Sequence, residues 1–422
     1  MRNMLFLPTL LLSCVIATPI ASAQDLAAAI ADALANAPTL AEATAGEAAA
    51  GARLDRARAE ANPLLRVEGS VGAGRIDNGG FFGISADNTT PVAVQAVAEL
   101  PLWTGGRISA AVDQAKGGAA IAGFASEQAR LQTIVGAVSA YAQVLTTRQL
   151  EARHAQLVTQ LIETERQARL RFRAGEIASS DVAQARARKA EADAGLAQAQ
   201  GRRISAEAAF HRLTGKSAGD LAALPILPPL PSTLSEAVDA ARERHPALAQ
   251  ADAAIGVARA RLRSAKAEGM PTVGAFAEAA HVRDQFFPDY AADSVAVGVR
   301  GRWTLWAGGR TAADTRVADA ELTAAEARHR AARDALDGMV VDAWQGVITA
   351  RRMVEASMLR SEAADEALRG TRLEMQVGAV PTLAVLDAER EALEAQTALI
   401  EAQGMQVVAA WQLNALTGNI AP

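Results

Sequence analysis

The chain has 422 residues, with 42 Lys+Arg against 47 Asp+Glu and a formal net charge of −5, so no basic surface for nucleic acid is implied. Half of the residues are hydrophobic but only 4% are aromatic, a balance that suits long, close-packed helices better than an aromatic-rich globular core. An ordinary two-domain enzyme is disfavoured on composition alone.

In chain order, the first element is an apolar run from Met4 to Ile20 that follows Arg2 and ends in Ala21-Ser22-Ala23. This is the pattern of a secretory signal peptide with an A-x-A cleavage site, assigned to residues 1–23. The only cysteine, Cys14, lies inside it; Leu11-Leu12-Ser13-Cys14 also reads as a lipobox, but the later site leaves the better-sized apolar segment. Cleavage at Ala23 would remove the only thiol, and with it any disulfide or Cys-ligated metal. No later stretch approaches the roughly 20 uninterrupted apolar residues of a spanning helix, so a membrane crossing by the mature chain would have to be a β-barrel.

The rest repeats itself. Pro38 and Pro63 recur as Pro246 and Pro271, and Trp103-Thr-Gly-Gly-Arg107, Gly175 and Leu213-Thr214-Gly215 recur as Trp306-Ala-Gly-Gly-Arg310, Gly378 and Leu416-Thr417-Gly418. The repeats are assigned to residues 24–220 and 235–422, joined by a Pro-rich linker over 221–234. A helical pattern runs from about Leu26 to Ala61 and stops at Asn62-Pro63. Leu64 to Gly72 then alternates, a Gly/Asn/Asp-rich loop covers Ala73 to Pro91, and alternation returns from Val92 to Leu102 with Gln95 and Glu99 on the polar face. The second repeat alternates over Thr272 to Val282 and Val295 to Leu305, with Val295, Val297, Val299, Trp303 and Leu305 on one face and Arg300 and Arg302 on the other. Such strands fit a membrane barrel or a soluble sandwich.

From Arg107 to about Arg173, and from Arg310 to about Met375, there is no proline and no loop cluster. Helices of roughly 66 residues are rods of about 100 Å, which must pack side by side as coiled coil. Gly175 and Gly378 turn the chain into shorter helices, Ser179 to Leu213 and Thr382 to Leu416. Stacked end to end with the helix before the first strand, each makes about one more rod-length. Four strands cannot close a membrane barrel, so the sheet demands partners; three copies would give twelve strands and a continuous tube.

These landmarks resemble the TolC family of outer-membrane efflux and secretion ducts. The likeness rests on Pro101-Leu-Trp-Thr-Gly-Gly-Arg107 and Thr304-Leu-Trp-Ala-Gly-Gly-Arg310, on Phe172 to Val182 and Val377 to Asp387 around the two turns, and on the closing Leu-Thr-Gly triplets. It implies an α+β fold: a homotrimeric, 12-stranded transmembrane β-barrel with four strands per chain, continued by a long periplasmic α-helical coiled-coil barrel. It further implies residence in outer-membrane lipid, no cofactor, and docking through a periplasmic adaptor (a membrane fusion protein) to an inner-membrane transporter of RND, ABC or MFS type, carrying drugs, metals or polypeptides. Trp103, Gly105, Gly106, Trp306, Gly308 and Gly309 would form the strand-to-helix junctions, and Arg173, Ala174, Gly175, Gln376, Val377 and Gly378 the adaptor-docking turns.

In relatives a carboxylate after the first turn is tied to an Arg and a Tyr near the second, and two Asp rings narrow the entrance. By position the first carboxylate is Asp181, while Met375, Val380 and Ala384 stand where the Tyr, the Arg and the first ring Asp would be; only Asp387 remains. The expectation is a single Asp387 ring attracting cations, against a solvated surface Asp. Gln95, Glu99, Arg300 and Arg302 are candidates for the barrel lumen, although arginines near loops also sit simply exposed.

Other chemistry finds little footing. Thr214-Gly215-Lys216-Ser217 imitates the end of a P-loop, but Phe210 replaces the leading glycine and the segment follows a helix. His154, His211, His245, His281 and His329 lack metal-site spacing, and no G-x-S-x-G elbow exists. The rival reading is a soluble periplasmic coiled-coil scaffold or adaptor whose strands form a small sandwich.

Overall fold

The computed structural model describes residues 24–76, 87–224, 227–285 and 289–420. The signal-peptide segment, Cys14 and the tip of the Ala73–Pro91 loop lie outside the described residues.

Two long helices dominate, α3 (Arg107–Arg173) and α7 (Arg310–Gln376), each 67 residues. Each is followed by a 36-residue helix, α4 (Ser179–Thr214) or α8 (Thr382–Thr417). The buried residues of α4 include Ala185, Ala192, Ala199 and Ala206, a strict seven-residue spacing, so α4 meets α3 along a seam of small side chains. A seven-residue repeat is shorter than two ideal helical turns and imposes a left-handed supercoil. In α8 the pairs Val385/Ala392 and Ala395/Ala402 keep the same spacing against α7.

The expected single helix from Leu26 to Ala61 is two helices, α1 (Leu26–Asn36) and α2 (Pro38–Ala59). Pro38 has no N–H to donate and forces Ala37 out of the helical region, to φ −68° and ψ 115°. Pro246 does the same at His245, dividing α5 (Leu234–Arg244) from α6 (Pro246–Ala267). The stacking of short helices is corrected accordingly. Only the 22-residue α2 and α6 share the long helices' row with α4 and α8, while α1 and α5 turn aside at mid-length of α3 and α7. Asn36 Nδ2 donates to the carbonyls of Arg212 and Leu213 (3.5 and 3.3 Å), so the α1–α2 corner caps the end of α4. The Leu-Thr-Gly triplets are helix ends: Gly215 and Gly418 hold φ of 71° and 69° and close α4 and α8.

The core is a collar at that height. Tyr141 on α3 is buried among Leu26, Val138, Phe210 and Val407, and its hydroxyl lies 3.0 Å from the Gln24 carbonyl and 2.7 Å from that of Ala222. The start of the segment read as a linker is therefore pinned: Gln24 and Leu221 form a parallel bridge beside Tyr141. Lys216 is held by Asp32 at 2.6 Å, which disposes of the P-loop imitation.

The strands form one antiparallel sheet in the order β1-β4-β5-β6, from β1 (Leu64–Val71), β4 (Val92–Trp103), β5 (Thr272–Arg283) and β6 (Ala291–Arg302). A short hairpin, β2 (Gly74–Ile76) with β3 (Asp87–Thr89), enters the segment expected to be loop throughout. The last strand is shifted from its expected limits of Val295 to Leu305. Pro271 ends the ladder at Thr272, opposite Arg302, so Trp303 and Leu305 are beyond the strand and do not share its face.

Candidate functional site

Cross-strand partners share a face, and the register therefore sorts the sheet. Glu99 faces Phe276, which faces Gly298; Gln95 faces Glu68 and Ala280; Gly274 faces Arg300, and Thr272 faces Arg302. Gln95, Glu99, Arg300 and Arg302 thus lie on one face, with Arg66, Glu68 and Glu278. Arg300 stands 4.4 Å over the Phe276 ring, 3.8 Å from Glu99 and 3.9 Å from Glu278. The opposite face carries Leu65, Val67, Val94, Val295, Val297 and Val299, all exposed in the single chain; Val295 reaches 83% and Val297 77%. Among the described residues no helix is long and apolar enough to cross a membrane. Twelve-residue strands tilted at about 45° give roughly 28 Å of height, enough for an apolar band of about 25 Å.

Both strand-to-helix junctions place two glycines in the left-handed region, Gly105 and Gly106 at φ 62° and 89°, Gly308 and Gly309 at 62° and 85°. The chain needs this to swing from strand into helix. A Cβ on Gly105 would stand 2.4 Å from Met270 Cβ, whereas a Cβ on Gly308 would meet nothing within 4 Å. The tryptophans differ in the same sense: Trp103 pairs with Val273 in the sheet, and Trp306 is 85% exposed.

At the other end of the rods, both turns are Schellman caps. Gly175 N–H donates to Phe172 O and Glu176 N–H to Arg171 O; Gly378 N–H donates to Met375 O and Ala379 N–H to Glu374 O. Arg173, Ala174, Gln376 and Val377 form the exposed rim of these turns. Asp181 sits in the first turn of α4, where a carboxylate favours the helix dipole, and no side-chain bond joins it to Met375 or Val380. Met375 lines a cleft of about 490 Å³ between α3, α7 and α8, with Arg372 and Glu389. Glu389 is only 4% exposed and accepts from Arg372 at 2.9 Å.

Asp387 is not a free carboxylate. Its Oδ1 accepts from Arg188 Nη2 at 3.0 Å, and the other arm of Arg188 reaches Glu191 at 2.9 Å. Hydrogen bonding to Glu191, only partly offset by burial, and the charge of Asp387 hold this guanidinium above its ordinary pKa. The pair ties α4 of the first repeat to α8 of the second. Arg188 was missed from sequence: the repeat offset places Gln184 at the position of Asp387, and Arg188 is one helical turn further on the same face. Half-buried Ala384 adds no charge beside it.

Over residues 29–216 and 237–419 the chain matches the family described as outer membrane efflux protein. It is 29% identical, over 68% of its own length, to the outer membrane efflux protein BepC of Brucella suis, and the match spans 63% of that protein. In structure it resembles a membrane protein from Pseudomonas aeruginosa, with a TM-score of 0.83 at 21% identity over 93% of each chain. It also resembles the CmeC outer membrane channel of Campylobacter jejuni, with a TM-score of 0.82 at 15% identity, over 93% of this chain and 85% of that one. At such identities these likenesses concern the fold.

Proposed function

The chain belongs to the outer membrane efflux protein family, and from that premise we propose that three copies close into a duct: a 12-stranded barrel in the outer membrane above an α-helical tunnel through the periplasm. The observation that carries this reading is the unfinished edge of the single chain. β1 and β6 end the sheet with unpaired backbone groups, one face of that sheet is apolar and bare, and Gly308 lacks the packing neighbour that its counterpart Gly105 has. A second and third copy supply partners for the edges and a neighbour for Gly308, and outer-membrane lipid covers the apolar face.

On this reading Gln95, Glu99, Arg300 and Arg302 face the water-filled lumen. The tip narrows the periplasmic entrance, with Asp387 held by Arg188 in the resting state, and Asp181, Met375, Val380 and Ala384 lie beside that gate as its uncharged or unpaired surroundings. The turns at Arg173–Gly175 and Gln376–Gly378 meet a periplasmic adaptor, through which an inner-membrane transporter delivers cargo for efflux. The pump supplies the energy, so the duct needs no cofactor. The soluble-scaffold reading fits less well, since it leaves the valine face of the sheet in water.

The test is assembly and conductance. The purified protein in uncharged detergent is expected to run as a trimer that resists SDS until heated, and to form ion-conducting pores in planar bilayers. A monomer stable in plain buffer without detergent would overturn the proposal in favour of the scaffold.

A further inference from the structure

Where the sheet passes into the helices, a cleft of about 610 Å³ opens between the end of α2, the start of β1 and α3, and the helix-side ends of β4, β5 and β6. Six charged residues line it: Arg56, Arg107, Arg300 and Arg302 against Glu60 and Glu99. Arg300 is occupied by Glu99 and by Glu278 behind it. The other three guanidinium groups, those of Arg56, Arg107 and Arg302, make no ion pair or side-chain hydrogen bond with any described residue. Three like charges around one recess repel each other, and a guanidinium presents up to five donors in a planar fork matched to carboxylate or phosphate. The remaining wall is largely apolar, including Leu64, Pro101 and Phe276, with Asn62, Thr104 and Thr272 as its uncharged polar members. Volume and lining suit a drug-sized molecule rather than a bare ion.

We propose that this cleft is a binding site for an organic anion in transit, a molecule with an apolar body and a carboxylate, sulfonate or phosphate group held by Arg56, Arg107 and Arg302. The cleft's place on the export route rests on the duct reading above. In the trimer, the strand beside β6 is the next copy's β1, whose polar-face charges Arg66 and Glu68 stand 3.7 Å apart within their own chain and leave the balance of the cleft unchanged. The cleft lies on the lumen side of the sheet, as the register of Glu99, Arg300 and Arg302 requires.

The test compares two dyes of one xanthene scaffold, fluorescein as an anion and rhodamine 6G as a cation, by fluorescence anisotropy on the full-length protein in uncharged detergent near pH 8. Fluorescein is expected to bind more tightly than rhodamine 6G, and to weaken several-fold as NaCl rises tenfold, because exposed charges are screened. Arg56→Gln with Arg302→Gln is expected to weaken fluorescein at least about tenfold, while Arg302→Lys alone retains most of the binding and Arg58→Gln, outside the cleft, leaves it intact. Elution as wild-type oligomer shows that the variants fold. Equal affinity for the two dyes, equal affinity in the double variant, or a signal matched by empty micelles overturns the proposal. Displacement of fluorescein by phosphatidylglycerol, without any fluorescein block of bilayer conductance, assigns the cleft to a lipid headgroup and overturns transit. Conducting trimers indifferent to fluorescein sink this site alone, whereas fluorescein binding to a non-conducting monomer keeps the site and sinks the duct.

Discussion

The two 67-residue helices are equal in length and occupy corresponding places in the two repeats, yet α3 buries fifteen residues and α7 only seven. The reason is position in the wall. α3 has α2 and α4 on one side and α6 and α8 on the other, whereas α7 packs on α6 and α8 and has open space opposite. The exposed large apolar residues follow: on α3 they are confined to Ile162, Leu170 and Phe172 near the tip, and on α7 they recur along the rod, from Val317 through Met339, Met353 and Leu359 to Leu373. On the trimer proposed above, the open side of α7 is where the next copy packs.

The sheet carries the same asymmetry, and the strongest way to break the comparison is to place a charge on its bare face. Val297→Arg, at the middle of β6, should cost about 2–4 kcal/mol per copy at the bilayer midplane. The expected outcome is loss of the heat-modifiable trimer from outer-membrane fractions. Ala296→Arg, one residue away on the polar face, should assemble. Equal tolerance of the two substitutions would mean that the apolar face is not turned to lipid.

A sharper version uses the two junction glycines. Both hold φ of 62°, so alanine at either costs about 1–2 kcal/mol in backbone strain. Gly105→Ala adds a collision with Met270, which overpacking data place at about 1–3 kcal/mol more. If the ring closes, Gly308 meets the counterpart of Met270, Asn62 of the next copy, and Gly308→Ala should lower the thermal dissociation temperature of the trimer as far as Gly105→Ala does. A markedly milder Gly308→Ala would say that the junction of the second repeat stays open.

Tyr141 tests the collar that sets the two repeats at one height. Tyr141→Phe leaves the Ala222 carbonyl without its hydroxyl donor, while that of Gln24 still accepts from the Ala222 N–H, and the loss of about 1–3 kcal/mol is read as a lower melting temperature. Burial first, then the charge of Asp25, raise the phenol's pKa above its ordinary 10.0. The unfolded chain therefore releases this proton before the folded one. The contribution of Tyr141 is complete below about pH 10 and declines as pH rises beyond it, and Tyr141→Phe should flatten that alkaline decline.

Much of this was legible in the residues because the repeats mark themselves. Gly175 and Gly378 locate the tip turns, the two Trp-x-Gly-Gly-Arg segments locate the junctions, and the proline-free runs between them have the length of α3 and α7. Pro38 and Pro246 carry two meanings at once, landmarks of the duplication and starts of α2 and α6, and the repeat pattern alone shows only the first. β6 was misplaced because alternation continues through Trp303 and Leu305, while the ladder ends where Pro271 ends its partner. The partner of Asp387 could not be read at all: Arg188 lies 199 positions away, and only the supercoil of α4 and α8 decides which turn of one faces which turn of the other.

That pair gives the smallest effect and the finest test of how the two repeats differ, since α8 supplies the carboxylate and α4 the cation. Both side chains are about a third to a half exposed, so solvent screening limits the pair to about 1 kcal/mol or less. Arg188→Gln is accordingly expected to raise single-channel open probability by no more than about fivefold, 1 kcal/mol being about that factor in an equilibrium. It should also increase cation over anion permeability, because the Asp387 carboxylates then face the entrance uncompensated. Adding Asp387→Asn should abolish the gain in cation preference while leaving the pore as open as Arg188→Gln alone, since the latch is already broken. If Arg188→Gln changes neither opening nor selectivity, Asp387 lies away from the conducting path, and the narrowing of the tip must be assigned to the level of buried Glu389 and its partner Arg372 on α8 and α7 instead.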